Sequence, residues 1–151
     1  MDSWTLANGT PPRGRAQLTL RSRIAELSLV PAWIEQLSVE HGVAPSTQFA
    51  MNLCLEEVLS NIIRHGYRNE EDHAINVCHV SSQNNSLVLA IEDEAPHFNP
   101  LTVNAPPVEE TTDASRVGGL GLRLLRGFAE RVEYEATPTG NRLTLAFSTA
   151  G

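Results

Sequence analysis

Two pairs of strand-like segments, each joined by a short turn, limit what this chain of 151 residues can fold into. Residues 74–81 and 87–93 are rich in Ile, Val and Leu and are separated by Gln83-Asn84-Asn85-Ser86. Residues 132–137 and 142–148 flank Pro138-Thr139-Gly140-Asn141 in the same way. Connections this short return the chain beside itself, so both pairs are predicted to be antiparallel hairpins. Upstream, Leu18, Leu20, Ser22 and Ile24 alternate with other residues and predict a further strand.

The rest of the pattern is helical. Pro31 opens a helix carrying Trp33, Ile34, Leu37 and Val39, and Gly42 closes it. Pro45 opens a second, with Met51, Leu55, Val58, Leu59 and Ile62 on its apolar face and Gly66 as a stop. A third is expected over about residues 119–130. The order is strand, two helices, two strands, loop, helix, two strands. Helices with one apolar face each can cover one side of a sheet. The expected fold is therefore a two-layer α/β (α+β) sandwich with a mixed, mostly antiparallel sheet under three helices. Residues 1–15, with Gly9, Pro11, Pro12 and Gly14, read as a flexible arm before a single domain over 16–151. Residues 94–117 contain Pro96, Pro100, Pro106 and Pro107, and a loop this long in a compact domain suits a lid, a binding loop or a linker.

Charge narrows the partners. Eleven basic against 18 acidic residues give a net charge of −7, which argues against nucleic acid or an anionic membrane as the main partner. It leaves room for an anionic ligand at a local site. No apolar run reaches membrane-spanning length, and the N-terminus lacks the pattern of a signal peptide, so a cytoplasmic protein is expected. Cys54 and Cys78 read as buried free thiols, and the five histidines show no zinc-ligand spacing.

Three places carry chemistry. Glu57 and Asn61 lie four apart on the second helix, so they share a face, with His65 one turn further. A carboxylate and an amide oxygen at this spacing suit a base beside a hard cation such as Mg²⁺, although a plain polar stripe has the same spacing. Glu56 falls about 100° around the helix and reads as a solvated neighbour. Asp93 ends an apolar strand; it either faces water, caps the following turn, or accepts a hydrogen bond from an exocyclic amine, with Pro96, Phe98 and Pro100 as an apolar rim. Gly118-Gly119-Leu120-Gly121-Leu122 opens the third helix, where glycines permit close approach and unpaired N–H groups face phosphate. A flexible hinge is the plainer reading of that cluster. Arg116 and Arg123 flank it and could neutralise phosphate charge.

Taken in order, Glu57-x-x-x-Asn61, Asp93-x-Ala95 and Gly119-x-Gly121 resemble the three boxes of the GHKL superfamily, with its Bergerat ATP-binding fold. The run Ile62-Ile63-Arg64-His65-Gly66-Tyr67 and the segment from Asp93 to Pro100 bring the chain nearer to the anti-sigma factor serine kinases of the RsbW/SpoIIAB type. The resemblance spans about residues 15–148. It implies ATP and Mg²⁺ as cofactors, Asn61 as the Mg²⁺ ligand, and Glu57 as the base for a substrate serine. It implies that Asp93 receives the adenine amine, and that His65, Ala95, Phe98, Arg116, Gly118, Gly119, Leu120, Gly121, Leu122, Arg123 and Thr144 border the nucleotide. It also implies a lid over about 101–117. The subgroup has glycine where this chain has Ala95. Ala95 precedes Pro96 and is pushed toward extended geometry, which alanine accepts, so the loop is expected to form and nucleotide affinity is the property affected.

The implied function is a protein-serine kinase that phosphorylates a STAS-domain anti-anti-sigma protein and controls a partner, a sigma factor, by partner switching. The competing reading is a nucleotide-dependent binding module without transfer. A sensor histidine kinase ranks last, because the chain has no room for a dimerising helical pair. The resemblance also makes a homodimer plausible, through a sheet edge or the first strand.

Overall fold

The computed structural model describes residues 16–102 and 117–151. In chain order it contains β1 (Gln17–Arg21), α1 (Val30–His41), α2 (Pro45–Asn61), β2 (Ala74–Gln83), β3 (Ser86–Asp93), α3 (Val117–Phe128), β4 (Arg131–Ala136) and β5 (Asn141–Ser148). Short 3-10 turns cover Ile24–Leu29 and Pro100–Thr102, and a π turn, Ile62–Gly66, extends α2. The expected arm and most of the expected lid lie outside the described residues.

The five strands form one sheet in the order β1-β2-β3-β5-β4. Every pairing among the described residues is antiparallel, where the sequence pattern had allowed a mixed sheet. Both predicted hairpins form. Gln83 pairs with Ser86, and the turn residues Asn84 and Asn85 take φ of 57° and 62°. Both are left-handed, which asparagine tolerates and a two-residue hairpin requires. The chain leaves β3, runs through α3 to the sheet edge as β4, and returns as β5 between β4 and β3. This crossover sets the first residue of β5, Asn141, opposite the last residue of β3, Asp93.

All three helices share a core with one face of the sheet. Leu20, Ile75, Val77, Leu89, Ile91, Leu143, Leu145 and Phe147 from the strands pack with Ile34 and Leu37 of α1, Met51, Leu55 and Leu59 of α2, and Leu125 of α3. On the opposite face Thr19, Asn76, Glu92, Arg142 and Glu135 form one row across all five strands. Arg142 Nε donates to the fully buried Glu92, and Arg142 Nη1 donates to Glu135 Oε1 at 2.7 Å. Cys54 and Cys78 are both buried, and neither forms a disulfide.

Two details differ from the expected pattern. Ile24 belongs to a 3-10 turn and is 39% exposed, because the strand ends where Ser22 turns inward. The Ser22 N–H donates to His73 O at 2.8 Å and its hydroxyl donates to Glu70 O. Val39 points to solvent and Ser38 takes the buried position beside Leu37. Gly42 stops α1 as expected, at φ 64°.

Candidate active site

The C-terminal half of α2 supplies the first part of the site. Its apolar residues fix the helix on the sheet, which leaves Glu57 and Asn61 half-buried on the flank and Glu56 exposed. Asn61 Nδ2 donates to Glu57 Oε2 at 3.0 Å. An ionised carboxylate only accepts, so the amide presents its nitrogen to Glu57 and turns Oδ1 away. Asn61 Oδ1 is buried and has no hydrogen-bond partner among the described residues. Leaving such an acceptor unpaired costs about 1–3 kcal/mol, which a cation at that oxygen would recover. Mg²⁺ takes few protein oxygens and fills its shell with water and phosphate, so one amide oxygen beside a carboxylate fits it. Cys54, one turn earlier, does not compete as a nucleophile. Burial first, and the Glu57 charge second, push its thiol up to about 12.

The second part is the turn that follows β3. Asp93 is 4% exposed. Its Oδ1 accepts from Ala95 N and from Asn141 Nδ2, each at 2.9 Å. Among the described residues both of these donors engage Oδ1, which leaves Oδ2 open to a further donor. Burial raises the Asp93 carboxyl above its ordinary range, the two hydrogen bonds pull it back, and the neighbouring Glu94 charge adds to the rise.

Asn141 was not among the predicted site residues, yet it organises the turn. Its Nδ2 also reaches Ala95 O at 3.2 Å and Pro96 O at 3.1 Å. Its Oδ1 accepts from Phe98 N at 2.9 Å and from the Tyr134 hydroxyl. The hairpin turn beside it held the one signal, Gly140. A Cβ on that residue would lie 2.0 Å from Asp93 O and 2.6 Å from Glu94 Cα, so only glycine lets β5 start this close to the turn.

The two parts meet through residues 66 and 67. A Cβ on Gly66 would lie 3.1 Å from the Cβ of Ala95, so Gly66 leaves room for the methyl group that this chain carries at position 95. Ala95 is 4% exposed and has no positive φ, and the loop forms with alanine in place. The Tyr67 hydroxyl accepts from Glu94 N at 2.6 Å.

The remaining predicted residues divide. Phe98 is 58% exposed beside the turn, as a rim residue would be. His65 is exposed on the π turn and Arg123 is exposed on α3. The backbone of Gly118, Gly119, Leu120, Gly121 and Leu122 forms the first turns of α3; their side chains, and all of Arg116, lie outside the described residues. Thr144 requires a correction. Leu143 and Leu145 enter the core, so Thr144 between them faces the other side of the sheet, opposite Ala90 and Glu133. The β5 residue that meets Asp93 is Asn141.

The family model for the histidine kinase-like ATPase domain matches residues 20–147. The serine/threonine-protein kinase BtrW of Bordetella bronchiseptica is 28% identical over 118 residues, covering 78% of this chain and 82% of that protein. Among solved structures, the blue-light activated histidine kinase EL346 of Erythrobacter litoralis superposes on 83% of this chain with a TM-score of 0.55 at 15% identity. This chain spans 41% of that one, and the likeness is one of fold. The match covers both halves of the site, from Glu57 to Asn141, and the chain belongs to the histidine kinase-like ATPase domain family.

Proposed function

We propose that this protein is an ATP- and Mg²⁺-dependent protein-serine/threonine kinase of the anti-sigma factor type. The observation that carries the reading is the Glu57–Asn61 pair, a half-buried carboxylate beside a buried amide oxygen with no partner among the described residues. The similarity to BtrW supports it. Asn61 Oδ1 would hold Mg²⁺, which supplies charge neutralisation at the phosphates. Glu57 takes the proton of the acceptor hydroxyl. Its Oε2 is engaged by Asn61, which leaves Oε1 for that task. Asp93 Oδ2 accepts the adenine amine, and the N-terminal turns of α3 offer backbone N–H groups to phosphate. Phosphoryl transfer depends mainly on such positioning and charge stabilisation.

The acceptor we propose is a serine of a STAS-domain antagonist. The regulated partner is a sigma factor, so the activity controls transcription in the cytoplasm. No helix among the described residues is long and apolar enough to cross a membrane. A module that only binds nucleotide needs no base, so the retention of Glu57 favours the kinase. The test uses ATP labelled at the γ-phosphate, Mg²⁺ and a candidate STAS protein. Label on the acceptor supports the kinase. Tight ATP binding with no label on any cognate acceptor selects the binding module, and no affinity for adenine nucleotides overturns both.

Asp93 gives a separate prediction. Its carboxyl is raised in the fold, so the folded state holds that proton to higher pH than the unfolded chain does. The resulting stabilisation is complete below the ordinary value of 3.8 and is lost as pH rises through the raised value. At neutral pH the fold therefore carries a buried carboxylate at some cost. Asp93→Asn keeps an oxygen for Ala95 N and Asn141 Nδ2 but turns an NH₂ toward the place of the adenine amine. The expected thermal midpoint at neutral pH is equal to or above wild type, with a flatter acid limb. ATP affinity falls by about 10- to 100-fold. Calorimetric titration and thermal scans against pH measure both; affinity within twofold of wild type would remove Asp93 from the base-binding role.

A further inference from the structure

Tyr67 is held in place by an irregular stretch of chain. Tyr67 N donates to Ile62 O at 2.8 Å across the π turn, and Asn69 N donates to Ile63 O at 2.9 Å. Arg68 and Asn69 take φ of 52° and 65°, a left-handed pair that reverses the chain. The reversal tucks the Tyr67 ring inward, to 4% exposure. One face of the ring stacks on His73, with centroids 4.3 Å apart and planes 2° from parallel. His73 is tied to the end of β1, since His73 N donates to Ser22 Oγ at 3.2 Å and Ser22 N donates to His73 O at 2.8 Å. The ring is thus fixed from the helix side and from the sheet edge, and its hydroxyl meets Glu94 N at 2.6 Å.

Glu94 lies just beyond the last ladder pair, Asp93 with Asn141. Its N–H belongs to the peptide that joins Asp93 to the turn, and its hydrogen-bond acceptor is a side chain. Asn141 grips the same turn from β5. We propose that Tyr67 is a positioning residue for base recognition: through the Glu94 N–H it fixes the orientation of Asp93 and Ala95, acting on the helix side as Asn141 does on the sheet side. The inference rests on the nucleotide-binding reading above and deepens it, because it assigns Tyr67 an effect exerted through the Asp93–Ala95 turn. Burial, offset in part by the Glu94 hydrogen bond, pushes the phenol up to about 12. The hydroxyl therefore stays neutral through any ordinary assay.

Tyr67→Phe tests the role, because it keeps the ring and its stack and removes the hydroxyl, which accepts from Glu94 N at 2.6 Å and makes only a long 3.5 Å bond as donor, to Ala74 O. Wild type and variant are titrated with ADP, and with GDP in competition. ADP affinity is expected to fall roughly 3- to 10-fold, the factor for one hydrogen bond, with GDP affinity unchanged. The KM for ATP rises by the same factor at constant kcat, since Glu57 and Asn61 precede the reversal. Amide exchange at Glu94 and Ala95 accelerates in the free variant. His73→Ala, which removes the stack but keeps the hydroxyl, shifts ADP affinity in the same direction by about twofold. It serves as the second variant if Tyr67→Phe fails to fold. Equal weakening of ADP and GDP would make Tyr67 a purely structural residue, and unchanged ADP affinity in both variants overturns the proposal. Wild-type protein that binds no adenine nucleotide overturns the functional reading and this inference with it.

Discussion

Glu57→Gln is expected to slow phosphoryl transfer by about 10²- to 10⁴-fold while nucleotide affinity stays within about threefold of wild type. The substitution is nearly isosteric. The Gln amide oxygen can accept from Asn61 Nδ2 as Glu57 Oε2 does at 3.0 Å, so Asn61 keeps its orientation and its Oδ1 stays turned away from position 57, to the side where the proposed cation would bind. What disappears is basicity, because an amide cannot take the proton of a serine hydroxyl at neutral pH. The proposed adenine end, with Asp93, Asn141 and Tyr67, is untouched. The effect therefore falls on kcat and spares binding, as expected for an interaction made in the transition state. Labelled transfer to the acceptor and equilibrium titration with ATP separate the two quantities. A variant that retains more than a tenth of the wild-type transfer rate would show that Glu57 is not the base, whatever becomes of the rest of the reading.

Much of this site could be read before the fold was known, and the reason is local. Glu57 and Asn61 are one helical turn apart, so their contact follows from a periodicity that neighbouring residues announce. Asp93 terminates an apolar strand, and Asn84-Asn85 suits only a tight hairpin. Each signal is contained in a few consecutive residues. The parts that escaped depend on pairing at long range. Asn141 reaches Asp93 across 48 positions, and only the β3–β5 register brings them together. The same register decides which side of β5 faces the helices. The resemblance alone placed Thr144 at the nucleotide, and the local pattern offers no check on it, because the strand is apolar on both faces. Leu143 and Leu145 enter the core, while Ala146 on the Thr144 side is also buried. Tyr67 escaped for a different reason. A regular helix carried past Asn61 would place it on another face. The π turn and two left-handed residues re-aim it, and nothing in their composition reports that geometry.

Gly140→Ala is expected to cost more than about 3 kcal/mol of stability and to abolish nucleotide binding in whatever fraction remains folded. The added Cβ would stand 2.0 Å from Asp93 O, 2.6 Å from Glu94 Cα and 2.8 Å from Asp93 C. All three are backbone atoms, so no side chain can rotate away. Either β5 slides off β3 at its first residue or the Asp93–Ala95 turn is pushed out. The first choice breaks the Asp93–Asn141 pair, and the second moves the carboxylate proposed to accept the adenine amine. Both undo the contacts from Asn141 to Asp93, Ala95 and Pro96. Against a typical total stability of about 5–15 kcal/mol, a loss of this size lowers the urea midpoint by a large fraction. Gly127→Ala is the matched control. Nothing lies within 4 Å of a Cβ there, the residue sits in α3, and alanine is the better helix former, so stability should hold or rise by up to about 1 kcal/mol. If the two variants unfold at the same urea concentration, the close approach of β5 to the Asp93 turn is not what holds this end of the site together. A stable Gly140→Ala protein with normal ATP affinity would refute the placement of Asn141 beside Asp93.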